Sequence, residues 1–282
     1  MKRYFITALV LLAACTRGEP DSLFIETSLI LGAGESLSTR ADMPDDTRIT
    51  DWNLLVFNVF GDLEEHLYVP SRALKEQTLT HTTRLLRDVP YTIVAAANMG
   101  YQLPVHCLQD LKEYRYHLSR PDDYADGIPM AITLENVLPL EQMPLRVERL
   151  MARVDLRMDR RELEAGVLLK VTEVSIGNCP SSVSLFPGSG VETASQAFQN
   201  GFSLKGQELD ALNRDAADAL SGTVSLYLLE NCSQLHPSYV EIKAEYHSDD
   251  QHTDPGAPMS YRVPLEEVVR NTVYPITVVI DL

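Results

Sequence analysis

Apolar residues in this chain recur at every second position within short runs, and that period makes β-strands its main building element. Residues 274–282 show it most cleanly, with Tyr274, Ile276, Val278, Ile280 and Leu282 on one face. Successive strand side chains point to opposite sides, so such a segment presents one face to a core and the other to water. Residues 22–31 repeat the pattern, with Leu23, Ile25, Leu29 and Leu31 on one face and Glu26 and Ser28 on the other. Residues 49–60 form a denser apolar run, closed by a Gly61-Asp62 turn and a return through Leu67-Tyr68-Val69. This predicts a hairpin. Further strands are expected over 91–97, 150–158, 167–176, 223–229 and 239–246. Helical spacing is confined to 108–118 and to 206–220, where Leu209, Leu212, Ala216 and Leu220 recur. The expected fold class is mainly β, built as β-sandwiches with a few short helices.

Between the first two strands, residues 32–48 carry Gly, Ser, Pro and Asp without periodicity and read as an exposed loop containing Arg40 and Arg48. A second break is expected near 142–151, around Pro139 and Pro144, where one strand series gives way to the next. This divides the chain into an N-terminal β domain over 15–147 and a C-terminal β domain over 148–282.

Residues 1–14 stand apart. Lys2 and Arg3 precede a short apolar run over 4–14, which is too short to span a bilayer and has the layout of an export signal. It ends in Leu12-Ala13-Ala14-Cys15, which resembles the lipobox of bacterial lipoproteins, so Cys15 is the expected lipidation site. No second run of about 18 apolar residues follows, and acyl chains are the membrane attachment the sequence offers. Thr16 follows the cysteine, and Glu19 and Asp21 loosely resemble the signals that send Bacteroidetes lipoproteins to the outer face. Loss of Lys2 and Arg3 takes the formal net charge from -16 to -18. That charge argues against nucleic acid or an anionic membrane surface as partner.

Three cysteines remain, in a compartment where disulfides persist. Cys179 and Cys232 each follow an expected strand at an equivalent position, so a Cys179–Cys232 bridge with Cys107 unpaired is one expectation. Three free thiols that pack in the interior are the other. Chemistry-bearing constellations are sparse. There is no Gly-x-Ser-x-Gly elbow, no His-Glu-x-x-His pair and no phosphate-binding glycine loop, so no enzyme and no cofactor is expected. His236, His247 and His252 with Asp249, Asp250 and Asp254 offer metal donors. The Asp, Gly and Pro content of 248–258 is that of a hairpin loop, and these residues read as solvated loop chemistry with no metal. Trp52 opens an apolar strand and reads as a core residue. Tyr101, Tyr114, Tyr116 and Tyr124 are candidate exposed rings, which leaves a glycan- or nutrient-binding surface lipoprotein as the alternative function.

Several segments, in order, resemble the fimbrillin-related subunits of Bacteroidetes type V pili. They are residues 49–61, Val94-Ala95-Ala96-Ala97-Asn98-Met99-Gly100, Glu148-Arg149-Leu150-Met151-Ala152-Arg153-Val154-Asp155, Val174-Ser175-Ile176-Gly177-Asn178-Cys179-Pro180, Leu226-Tyr227-Leu228-Leu229-Glu230-Asn231 and Arg270-Asn271-Thr272-Val273-Tyr274. The resemblance implies two β-sandwich domains of transthyretin-like topology. It also implies a structural or accessory pilus subunit, lipid-anchored at the outer membrane, that joins other subunits through strand exchange. In polymerising members an arginine-specific protease removes the first strand. Here that strand is 22–31, and Arg40, ahead of Arg48, is the candidate cleavage site. No strand follows 274–282 in this sequence, which departs from a stalk-forming subunit. The lipobox reading generates a direct expectation: Cys15→Ser releases the protein from the membrane fraction. Unchanged fractionation, with no acyl mass on the N-terminal peptide, would count against it.

Overall fold

The structure is a computed structural model that describes residues 23–34, 46–74, 76–118, 127–164, 166–187, 198–213, 220–248 and 256–281. The first half runs β1 (Phe24–Ala33), β2 (Trp52–Phe57), β3 (Leu63–Val69), β4 (Leu79–Leu86), β5 (Tyr91–Ala97), α1 (Leu108–Glu113), β6 (Arg115–His117), β7 (Met130–Val137) and β8 (Gln142–Arg149). Seven of these strands make one sheet in the order β3-β2-β5-β7-β8-β1-β4. The sheet is joined weakly at one place. β7 and β8 pair only through Met130↔Arg149 and Ala131↔Glu148. The layers β3-β2-β5-β7 and β8-β1-β4 therefore turn toward each other and share a core. Trp52, Leu54 and Ile93 enter it from one layer, and Leu29, Leu31, Met143, Leu145 and Val147 from the other.

Local sequence accounts for these strands. β2 and β5 are apolar except for Asn53 and Thr92 and are buried at every position, as expected of central strands covered on both faces. β8 alternates strictly, its Met143, Leu145 and Val147 inward and its Gln142, Pro144, Arg146 and Glu148 outward. The hairpin at 58–62 is set by Asn58. Its Oδ1 accepts from Phe60 N at 2.9 Å and Asp62 N at 3.0 Å, and Gly61 takes φ +86°, a value glycine reaches without a Cβ penalty.

The second half runs β9 (Met151–Asp159), β10 (Leu168–Gly177), β11 (Cys179–Pro180), β12 (Ser182–Ser184), β13 (Phe198–Gln199), β14 (Ser203–Lys205), α2 (Asp210–Asn213), β15 (Val224–Leu229), β16 (Tyr239–His247), β17 (Ala257–Pro264) and β18 (Val273–Val279). Two layers, β14-β10-β16-β17 and β15-β9-β18, enclose a second core. Val154, Leu156, Val174, Ile176, Leu226, Val240 and Ile242 fill it. β18 lies parallel to β9. The molecule is mainly β with two short α-helices.

Several expectations are adjusted. The first strand begins at Phe24, and Leu23 is 64% exposed rather than in the core. The apolar run 49–60 is extended only over Trp52–Phe57, because the Asn58 turn ends it. The helix expected over 108–118 stops at Glu113, since 115–117 pair with β12. The helical pattern over 206–220 forms a 3-10 turn, Gly206–Leu209, followed by α2.

Chain passage between the cores is abrupt. Leu150 and Met151 belong to the first cluster and Ala152 to the second. Arg149 is fixed there, 1% exposed. Its Nη2 lies 3.2 Å from Asp46 Oδ1, its Nε donates to Asp46 O at 2.9 Å, and its Nη1 donates to Asn271 Oδ1 at 2.9 Å. One guanidinium thus ties the segment before β2 and the approach to β18 to the end of β8. Nearby, the β6–β12 pairing also joins the halves, and Arg270 reaches Ser184 O and Glu230 Oε1, each at 3.0 Å. Removing one partner of a buried ion pair leaves an uncompensated charge and costs about 3–5 kcal/mol. Asp46→Ala is therefore expected to lower unfolding stability by that amount, and Asp46→Asn by less. Urea denaturation followed by Trp52 fluorescence reads both.

Candidate functional site

The feature of the fold with chemical consequence outside the molecule is the slot that holds β1. β1 lies between two strands that do not pair with each other: antiparallel to β4 from Phe24↔Leu86 to Leu31↔Leu79, and parallel to β8 from Ser28↔Gln142 to Ala33↔Val147. Among the described residues β4 has no other sheet partner, and β8 has only its two pairs with β7. β1 is thus the middle of a three-stranded layer that exists only while a strand occupies its place.

Side chains bind it as firmly as the ladders do. Thr27, Leu29 and Leu31 are fully buried and Ile25 nearly so. Each apolar side chain contributes roughly 1.5–3 kcal/mol by leaving water. On the outer face the Arg84 guanidinium sits 4.5 Å over the Phe24 ring, and Ser28 Oγ lies 3.4 Å from Thr82 Oγ1. The ends are also tied. Arg87 N donates to Leu23 O, Ser28 N to Glu141 O and Gly34 N to Val147 O, all at 2.9 Å. At Gly32, a Cβ would come within 2.5 Å of Arg146 Nη1, so glycine lets that long side chain lie across the strand.

Downstream of β1 the backbone is pinned. Ile49 N donates to Gln77 Oε1 at 2.6 Å and Thr50 N to Asn98 Oδ1 at 2.7 Å. Asn98 in turn donates to Arg48 O at 2.9 Å and Ile128 O at 2.7 Å. Asn98 takes φ +62°, a region that asparagine tolerates, and it buries its amide where the 94–100 segment turns out of β5. Asp51 accepts from Met99 N at 3.1 Å and Gly100 N at 2.9 Å. Burial raises its carboxyl above the usual range against those bonds.

The sequence-predicted site residues fall as follows. Cys15 and Arg40 lie outside the described residues. Arg48 is exposed, but its peptide is held on both sides by the bonds above. Cys107, Cys179 and Cys232 are free thiols. The expected Cys179–Cys232 bridge is not formed, although the residues beside the two thiols meet, Asn231 Nδ2 donating to Asn178 O at 3.3 Å. Cys179 is buried beneath Gly201, and burial pushes its thiol up to about 11. Cys232 is also raised to about 11, by burial and then by the negative charge of Glu230.

His247 is buried and His236 stacks on Phe198 with centroids 5.0 Å apart. His252, Asp249, Asp250 and Asp254 lie outside the described residues. Among those described, no three His, Cys, Asp or Glu side chains are placed to hold a metal. Trp52 is fully buried, as expected of a core residue. Tyr116 is buried, and Tyr101 OH lies 2.6 Å from Tyr114 OH. Burial, followed by that hydrogen bond, pushes the Tyr114 phenol above its ordinary range. Tyr124 lies outside the described residues, and the other three rings form no continuous exposed platform. Sequence reading missed Asp46, Asp51 and Arg149 as structural anchors, since a buried charge carries no periodic signature.

No protein-family model matches the sequence, and no curated protein does. Solved structures do match. A candidate cell adhesion protein of Bacteroides eggerthii aligns over 92% of this chain and 86% of its own, with TM-score 0.63 and 16% identity. A fimbrilin, FimA, of Porphyromonas gingivalis aligns over 91% and 90%, with TM-score 0.62 and 15% identity. The C-terminally truncated tip fimbrial protein Mfa3 of Porphyromonas gingivalis aligns over 92% and 96%, with TM-score 0.60 and 13% identity.

The β1 contacts generate a paired expectation. Leu29→Ala is expected to destabilise by about 2–5 kcal/mol through the cavity it leaves. Thr27→Val is expected to stabilise by about 1 kcal/mol, because the buried Thr27 hydroxyl has no protein partner. Urea midpoints of the two variants check both. With the layers, the slot and these alignments in view, the chain has a fimbrillin-type fold, that of fimbrial proteins of the Bacteroidetes.

Proposed function

We propose that this chain is a structural or accessory subunit of a surface pilus, exported as a lipoprotein through Cys15 and joined to other subunits by a strand placed in the β1 slot. The observation that carries the reading is the isolation of β1: among the described residues it is the sole sheet partner of β4, and β8 has besides it only two pairs with β7. Removing it leaves two facing rows of unpaired backbone groups and an apolar floor of Met143, Leu145 and Val147. An incoming strand that alternates apolar and polar residues regains both ladders, which is the energetics of strand addition. The described alignments with fimbrial proteins support the same role, and no catalytic group is required by it. A division beyond β8 then separates the half that accepts a strand from the half that carries β18.

Between the two candidate cleavage arginines, physical reasoning favours Arg40. A cut after Arg48 would release Asp46 together with β1 and leave the buried Arg149 guanidinium without its carboxylate, at about 3–5 kcal/mol. A cut after Arg40 keeps Asp46 in the body. Limited digestion with an arginine-specific protease is therefore expected to yield a chain beginning at Ala41. That nicked chain should take up a labelled peptide of the Phe24–Ala33 sequence, while the intact chain does not. A nicked chain that retains its own strand and excludes the peptide under mild denaturant would overturn strand exchange. A new N-terminus at Ile49 in a stable product would overturn the choice of Arg40.

A further inference from the structure

The β registers of the first half place its exposed apolar residues at one end. β2 runs toward that end, since Phe57 pairs with Thr92 at the start of β5 and Tyr91 pairs with Val137 at the end of β7. β8 leaves from the same end, because β7 and β8 are antiparallel neighbours joined through 138–141. β1, parallel to β8, begins there, and β4, antiparallel to β1, finishes there with Leu86 opposite Phe24. Four separate chain segments therefore converge on this end, and each carries exposed apolar side chains: Leu23, Val59 with Phe60, Leu86, and Leu138 with Leu140. These are six of the eleven large hydrophobic side chains that are exposed among the described residues. Phe60, at the tip of the Asn58 turn, is 86% exposed.

Surface apolar residues scattered singly need no explanation, but their convergence on one pole marks an interaction surface. Its position identifies the partner. The crossover into the second half, at 149–152, lies at the opposite end of β8. The apolar pole is where the chain arrives from its N-terminus: Leu23 is eight residues beyond Cys15. Eight extended residues reach at most about 28 Å. A lipid on Cys15 therefore keeps Leu23, and with it this pole, within about 28 Å of the bilayer.

We infer that the pole carrying Leu23, Val59, Phe60, Leu86, Leu138 and Leu140 seats on the lipid surface, its side chains entering the interfacial layer beside the acyl anchor. The inference deepens the lipoprotein reading and rests on it for the tether. Leu and Phe side chains gain from entering the headgroup–acyl boundary, and an insertion of about 5–10 Å accommodates turn tips of this kind. The charged groups exposed at this end, Asp62, Asp88 and Glu141 against Arg87, are acidic on balance. The preferred surface is accordingly zwitterionic, and salt has little effect on the contact.

The test uses the mature chain, residues 15–282, carrying an N-terminal histidine tag. It is tethered to phosphatidylcholine vesicles that contain a nickel-chelating lipid and brominated acyl chains. Trp52 is fully buried, so Phe60→Trp adds a tryptophan that contact quenching can report separately. Val279→Trp, at the end of β18 and remote from the crossover, is the control. Expected is loss of most of the position-60 emission on brominated vesicles, unchanged by added salt, with the position-279 emission unaffected. Leu138→Ser with Leu140→Ser in the same chain should restore much of it.

Equal emission on brominated and plain vesicles would overturn the inference. So would burial of position 60 that depends on protein concentration and not on vesicles, which would assign the pole to a second copy of the chain. Because the tag replaces the native tether, these outcomes do not depend on lipidation. The acyl mass of the Cys15 peptide from native membranes reports that separately.

Discussion

The guanidinium of Arg149 is the interaction on which the rest of the arrangement depends. It sits where one core ends and the other begins, almost wholly out of water, its charge paired with the Asp46 carboxylate and one N–H donated to Asn271 Oδ1. A buried charge of this kind adds little net stability, because desolvation offsets most of the attraction. What it adds is selectivity. Arrangements that misplace the segment before β2 or the approach to β18 leave the charge unpaired, and those alternatives are penalised. The placement of the segment before β2 and of the approach to β18 against the end of β8 follows from the same contact.

Within that frame the sheet edges among the described residues are protected in a way that the β1 position is not. β18 presents a free edge, but Arg153 N donates to Thr272 O and Ile280 N to Asp159 O. Even-numbered residues therefore face β9, and Pro275 lies on the outer edge, where it offers no donor. β17, the edge of the opposing layer, has prolines at positions 258 and 264. β3 exposes Glu64 beside the partly buried Glu65 and His66. Proline and charge on edge strands discourage pairing with other chains. The slot between β4 and β8 lacks such protection because β1 normally fills it.

The short strands were legible in the sequence because a single physical fact, alternation of faces, controls them. β1, β2, β5, β9, β10, β15, β16 and β18 all lie where period two or a continuous apolar run indicates. β4 was not legible. Its sequence, Leu-Thr-His-Thr-Thr-Arg-Leu-Leu, has few apolar residues, and it is extended because β1 provides its ladder. β8 reads as a proline-marked break for a similar reason: Pro144 and its outward polar residues mask the inward Met143, Leu145 and Val147. The candidate site divides the same way. Its occupant, β1, was readable, whereas its walls were not.

By itself, the sequence determined the β class, the position of the first strand and the turn at Gly61-Asp62. All of these depend on residues near one another along the chain, where periodicity, turn chemistry and spacing act directly. The tertiary structure alone decided that β1 bridges two strands distant from it and from each other. It also decided that Arg149 meets Asp46 across more than a hundred residues. Those facts depend on which strands become neighbours. That choice is set by the burial of whole faces at once, and no local run of residues encodes it.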